Sequence, residues 1–279
     1  MIGFTYRGKH SFRDMGVRTR TVSRPIAPPV RTIDDTVPYI DGTIDFSEQN
    51  GRLYYDDKVL ELEIQAVDTD IAHMHMLVSK LTAWLCGGYG ELIMDDMPNV
   101  RWIAKPIDIK AISPELFGRK GTTTIQFRCR PFNVLVYDST GIPLDSDLVL
   151  DSYTELRYGS DYWWSVSKGS GVLTYRYIGT APVAPRIEIT GDAKEITIGL
   201  NGHTLFVSLG KSASGYGGII LDCEAYRCTG ADGTELTPYT EGDFPELWPG
   251  ENKISFTRDD KCMIQLLFYP NYLYGDVWE

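Results

Sequence analysis

"KVLELEIQAVDTDIAHMHMLVSKLTAWLCGG", residues 58–88, changes hydrophobic period partway along, and that change sets the architecture of the first half of the chain. Leu60, Leu62, Ile64 and Ala66 alternate with Glu61, Glu63 and Gln65, the period of a half-buried strand. From Ile71 the period lengthens. Met74, Leu77 or Val78, Leu81, and Trp84 with Leu85 recur at helical spacing. Asp68 or Asp70 is placed to cap the helix, and Gly87 with Gly88 to stop it.

Working downstream, "ELIMDD", "RWIAKPIDIKAI" and "GTTTIQFRCRPF" read as further strands, so the first module is expected to be an α+β unit of extended segments, one amphipathic helix and a sheet. The polar, turn-rich "YDSTGIPLDSD" marks a boundary, giving expected domains at 1–136 and 151–279 with a linker at 137–150. Beyond it the helical signal disappears. "KEITIGLNGHTLFVSL" sets Ile196, Ile198 and Leu200 against Leu205, Val207 and Leu209 across an Asn201–Gly202 turn, a hairpin signature. "GGIILDCEAYRCTGADGTEL" reads as a second hairpin turning at Asp232–Gly233, and "NKISFTRDDKCMIQLLFYP" as two further strands. Short strands at regular spacing predict an all-β sandwich or jelly roll.

Upstream of the strand lies "RPIAPPVRTIDDTVPYIDGTIDF", Arg24–Phe46, whose four prolines rule out a continuous helix. It carries Ile26, Val30, Ile33, Val37, Tyr39, Ile40, Ile44 and Phe46, too many large apolar groups for a linker. Such a strip is expected to lie against a sheet edge or another chain.

The chain has 279 residues, 43% of them apolar and 23% charged, an ordinary globular balance. The net charge of −11 is unevenly placed: residues 1–136 hold 17 basic and 17 acidic residues, and residues 137–279 hold 10 and 21. Neither half carries the basic excess that tight non-specific nucleic-acid binding needs. "RGKHSFRDMGVRTRTVSR" is basic only locally and reads as a solvated strand face. No apolar run reaches the length of a membrane span, and "MIGFTYRGKH" lacks the apolar stretch of a secretory signal. Cys86, Cys129, Cys223, Cys228 and Cys262 lack metal-ligand spacing and are expected to be reduced, mostly buried thiols, with Cys223 and Cys228 close together if they share a strand turn.

Candidate chemistry is sparse. Gly210-Lys211-Ser212 ends like a phosphate-binding loop, but Leu205 stands where that motif needs glycine. His73 and His75 are two apart on the predicted helix, where metal ligands would be three or four apart. His10 and His203 have no motif partner, and no nucleophile elbow is present. Asp56 with Asp57, Asp95 with Asp96, and Asp222 with Glu224 are carboxylate pairs of the kind that form turns or, in a glycosidase, face each other across a cleft. Tyr158, Tyr162, Trp163 and Trp164 could stack on sugars, or fill a core or a seam. No catalytic, cofactor-binding or metal residue is assigned, and no enzyme activity is expected.

Taken in order, "GFTYRGKHS", "DMGV", "RPIAPPVR", "VPYIDGTIDF", "LTAWL", "GELIMDD" and "GRKGTTTIQFRCRPF" resemble the distal tail protein (Dit) family of long-tailed phages. "PRIEITG", "ITIGLNG", "IILDCE", "GDFPELWPGENKISF" and "IQLLFYPNYL" extend the resemblance through the second half. The resemblance implies a ring-forming N-terminal domain and a galectin-like or carbohydrate-module-like C-terminal sandwich. It implies a homo-hexamer at the tip of the virion tail, made in the bacterial host cytoplasm and encoded by a phage or prophage. The implied partners are the major tail protein of the tail tube, a tail-associated lysin or tail fibre protein, and a receptor-binding protein. The genome would pass through the ring without specific binding. The long inserted arm of some relatives is not present here. A carbohydrate-binding protein that holds host glycans on its sandwich is the alternative.

Overall fold

The period change near residue 68 is where strand becomes helix in the computed structural model, which describes residues 3–39, 41–48, 51–67, 71–110, 113–115, 120–136, 163–166 and 169–275. The chain divides into two compact units, Met1–Val134 with Leu273–Gly275, and Leu135–Tyr272 with Asp276–Glu279. The expected linker at 137–150 lies outside the described residues.

In the first unit the elements are β1 (Phe4–Tyr6), β2 (Lys9–His10), β3 (Arg18–Ser23), β4 (Asp34–Asp35), β5 (Ile44–Asp45), β6 (Lys58–Val67), α1 (Ile71–Leu85), β7 (Gly90–Met94), β8 (Met97–Ile109), β9 (Ser113–Glu115), β10 (Lys120–Cys129) and β11 (Asn133–Leu135). An antiparallel sheet runs in the order β2-β1-β7-β8-β10-β6-β3, with β9 beside β10 and β11 beside β8. Leu60, Leu62, Ile64 and Ala66 of β6 face the core, as their alternation requires. Met74, Leu81, Trp84 and Leu85 of α1 close that core with Phe4, Tyr6 and Phe127. Phe4 stacks on Trp84 at 5.4 Å, and the edge of Phe127 meets Tyr6 at 5.3 Å. Asp68 and Asp70, the expected caps, lie outside the described residues; at the other end Gly88 takes a φ of 79°, which stops the helix at low steric cost.

The edge strand β3 is bulged. Its register on β6 shifts between Thr21 and Ser23, so Val22 is an extra residue and stands half-exposed.

The second unit contains β12 (Trp163–Val166), β13 (Gly169–Tyr177), β14 (Arg186–Gly191), β15 (Glu195–Leu200), β16 (His203–Ser208), β17 (Ile219–Asp222), β18 (Arg227–Gly230), β19 (Thr240–Gly242), β20 (Gly250–Arg258), β21 (Cys262–Leu267) and β22 (Asn271–Tyr272). Two five-stranded antiparallel sheets, β12-β21-β14-β17-β18 and β13-β20-β15-β16-β19, share one core. Ile187, Ile189 and Leu221 enter it from the first sheet, and Ile196, Ile198, Leu205 and Phe256 from the second. The Asn201–Gly202 turn forms as its sequence dictates, with φ of 51° and 88°. The second hairpin turns earlier than its Asp-Gly pair suggested. Asp222 pairs with Arg227, so the reversal is at Cys223–Tyr226, and Tyr226 itself takes a φ of 54°. Asp232–Gly233 makes a smaller turn closed by Gly230 N to Thr234 O at 2.8 Å. β20 and β21, consecutive in sequence, belong to different sheets, so the chain crosses the sandwich at Asp259–Lys261.

Asn252, with no solvent exposure, organises the loop before β20. Its Oδ1 accepts from Asn201 Nδ2 at 2.7 Å and Trp248 N at 2.8 Å, while its Nδ2 donates to Trp248 O at 2.8 Å and Gly250 O at 2.9 Å.

Candidate functional site

The Arg24–Phe46 strip is neither helix nor core. Ile26 is 80% exposed, and Val30, Ile33, Val37, Tyr39, Ile44 and Phe46 are all exposed as well. Ile40 lies outside the described residues. Single exposed apolar groups are ordinary, but such a concentration in one stretch marks an interaction surface.

The strip is held at its ends and along its base. Arg24 Nη2 meets Asp96 Oδ1 and Oδ2 at 3.0 and 2.9 Å, and its guanidinium lies over Trp102 at 5.8 Å. Pro28 is buried, Pro29 O accepts from Asp56 N at 2.8 Å, and Arg31 pairs with Asp56 at 2.8 Å. Val30 bridges to Tyr55, whose ring meets Phe132 edge-on at 5.6 Å.

Beyond Arg31 the chain makes a two-stranded ribbon, β4 against β5, in which Asp34 stands opposite Asp45 and Asp35 opposite Ile44. Ser47, buried, pins its base: Oγ accepts from Ile33 N at 2.9 Å, and Ser47 N donates to Asp45 Oδ1 at 2.7 Å. Hydrogen bonds from the Ser47 hydroxyl and amide hold the Asp45 carboxyl below its ordinary range. Residues 32–48 contain five acidic and no basic residues. Carboxylates directly opposite one another repel, and an isolated two-stranded ribbon is at best marginally stable. The ribbon therefore combines an apolar surface with negative charge that no basic residue between positions 32 and 48 offsets. Sequence reasoning found the apolar residues but not the Asp34–Asp45 pair, which depends on the ribbon's register.

The other candidates are dispersed. Gly210–Ser212 lies in the loop after β16, ahead of a short 3-10 turn at Ala213–Tyr216. His73 and His75 are exposed on α1. His10 is buried, with Nε2 3.1 Å from Asp95 Oδ1 and Nδ1 accepting from Phe12 N and Arg13 N at 3.1 and 3.0 Å, so Asp95 serves structure. His203 meets Trp248 edge-on at 6.5 Å and lies 3.8 Å from Asp243. Asp56 and Asp96 are engaged with Arg31 and Arg24, and Asp222 Oδ1 accepts from Ala225 N at 2.9 Å. Among the described residues no cluster of three metal-ligating side chains occurs, and no helix is long and apolar enough to cross a membrane. Tyr158, Tyr162 and the side chains of Trp163 and Trp164 lie outside the described residues. All five cysteines are free. Cys86 is exposed, and burial pushes the Cys129, Cys223 and Cys228 thiols up to about 12.

Residues 15–129 match the family described as phage tail protein RIFT-related domain. The chain is similar in structure to the Dit protein of phage SPP1, described as a paradigm of the hub adsorption apparatus in phages that infect Gram-positive hosts. The identity is 15% and the TM-score 0.67, over 98% of this chain and 100% of that one. A chain of the phage P2 baseplate, in its activated conformation with Ca, is 8% identical with a TM-score of 0.43, over 96% of this chain and 98% of that one. No curated protein matches. Residues 15–129 thus match the phage tail protein RIFT-related domain, and the chain as a whole has the fold of the SPP1 Dit protein.

Proposed function

We propose that this protein is a structural hub of a phage tail tip, six copies closing into a ring around the path of the genome. The ring joins the major tail protein of the tail tube on one side to a tail-associated lysin or tail fibre protein on the other. It also provides a platform for receptor-binding proteins. The second unit is then a galectin-like sandwich, and the protein acts as a virion part rather than a catalyst.

The observation that carries this reading is the exposed apolar strip between Arg24 and Phe46, fastened to its own unit by Arg24–Asp96 and Arg31–Asp56. A cyclic assembly needs each subunit to present two different, complementary surfaces in a contact that closes. A segment already tied down loses less conformational entropy on docking than a free loop, and its side chains supply burial. Obligate contacts of this class bury about 2,000 Å² or more. The fold likeness and the family's description support the same reading.

Negative-stain electron microscopy of the purified protein, with sedimentation velocity, tests it. Six-fold rings are expected from the native chain, and Ile26→Asp combined with Pro28→Gly and Pro29→Gly should leave monomers. Rings that form equally well from the triple variant would remove the strip from the contact.

A further inference from the structure

The ring reading leaves open what the strip docks on, and resting on that reading, charge and edge geometry identify a receiver. The ribbon is acidic. Its facing carboxylates, Asp34 and Asp45, have no basic residue between positions 32 and 48 to relieve them. Residues 7–24 have the opposite balance, with Arg7, Lys9, Arg13, Arg18, Arg20 and Arg24 against Asp14. Arg7 and Arg24 are occupied, by Gly87 O at 2.6 Å and by Asp96. Arg18 and Arg20 are on β3, the terminal strand of the sheet, two residues apart and so on one face, both exposed. The Arg20 side chain is 72% exposed despite its 3.0 Å pair with Glu63, and Arg18 stands opposite the neutral Gln65. Val22, the bulged residue and half-exposed, adds an apolar group on the same strand.

We propose that the β4–β5 ribbon of one copy docks along the β3 edge of a second copy, with Asp34 and Asp45 on Arg18 and Arg20. An edge strand offers backbone donors and acceptors to an added strand. Ribbon and edge are different surfaces of one chain, so the contact is heterologous and can propagate around a ring. It also accounts for charged residues on both: attraction between copies selects the docked register, and like charge keeps ribbon from ribbon and edge from edge.

The test is a charge-swap cycle read by sedimentation velocity at low and high salt. Asp34→Lys removes the repulsion facing Asp45, so it should not weaken the ribbon itself. Arg18 makes no ion pair among the described residues, so Arg18→Glu breaks none. Each single reversal should weaken self-association about tenfold or more, and the double variant should recover most of the loss. Native association should also weaken with added salt. Thermal melts of all four proteins check folding, and Asp34→Asn with Arg18→Gln give the same directions with smaller steps. Rings that form with native affinity from both single reversals, or a double variant no better than either single one, would overturn this pairing and leave the ring reading standing. A native chain that remains monomeric at high concentration and low salt would overturn both.

Discussion

Trp84 Nε1 donates to the main-chain oxygen of Tyr6 at 2.8 Å, so one indole both fills the first core and ties α1 to β1. Trp84→Phe keeps most of the packing and leaves a buried carbonyl without this donor; a loss of about 1–2 kcal/mol is expected in urea unfolding. Trp84→Ala adds a cavity beside Phe4 and should cost about 3–5 kcal/mol.

Lys58 is buried at the start of β6, where its Nζ donates to Leu273 O at 3.2 Å and burial lowers its pKa to about 8. In the unfolded chain the group returns to 10.5. Between these values the unfolded state binds more protons, so this residue's contribution to stability rises as the pH goes from about 8 towards 10.5. Below pH 8 its burial penalty is fully present. Lys58→Met should flatten that part of the stability profile. A native and a Lys58→Met profile that run parallel from pH 7 to pH 10 would refute the assignment.

These elements were unequally legible in the sequence. The alternation that placed Leu60, Leu62 and Ile64 inside also puts Lys58 in phase with them, and the structure buries it. Helix and strand in residues 58–88 were readable because burial imposes a period. The reversal at Cys223–Tyr226 was not, because Tyr226 takes a left-handed conformation without the usual glycine or asparagine, while Asp232–Gly233 nearby advertises a turn of its own. The anchors Asp56 and Asp96 looked like ordinary turn acids, since nothing local announces Arg31 or Arg24 as their partners.

Asn252→Ala should be the costly polar change in the second unit. It leaves Trp248 N without its acceptor, Trp248 O and Gly250 O without their donor, and Asn201 Nδ2 with only Glu246 O. A loss of about 3 kcal/mol in chemical denaturation is expected. Asn252→Asp keeps the acceptor, loses two donors and buries a charge, so it should be no better.

Native titration with an aromatic disulfide reagent should find one fast thiol, Cys86, and four that react only after unfolding. Cys86→Ser should abolish the fast phase. A second fast equivalent would show that one of the buried cysteines is accessible.

Purified protein should bind duplex DNA weakly at physiological salt, since the first 136 residues balance 17 basic against 17 acidic groups and the rest is acidic. A gel shift at low micromolar protein that weakens steeply with salt would contradict this.

Residues 273–275 belong with the first unit, where Leu273 O receives Lys58 from 215 residues upstream and Tyr274 O receives Asn133. On a translating ribosome the first unit must therefore wait, its buried ammonium without that carbonyl, while the intervening domain is made. At ordinary elongation rates the delay is roughly ten seconds. Release of a finished first unit is thus coupled to synthesis of the second, and a chain cut short after residue 270 would emerge with both halves affected.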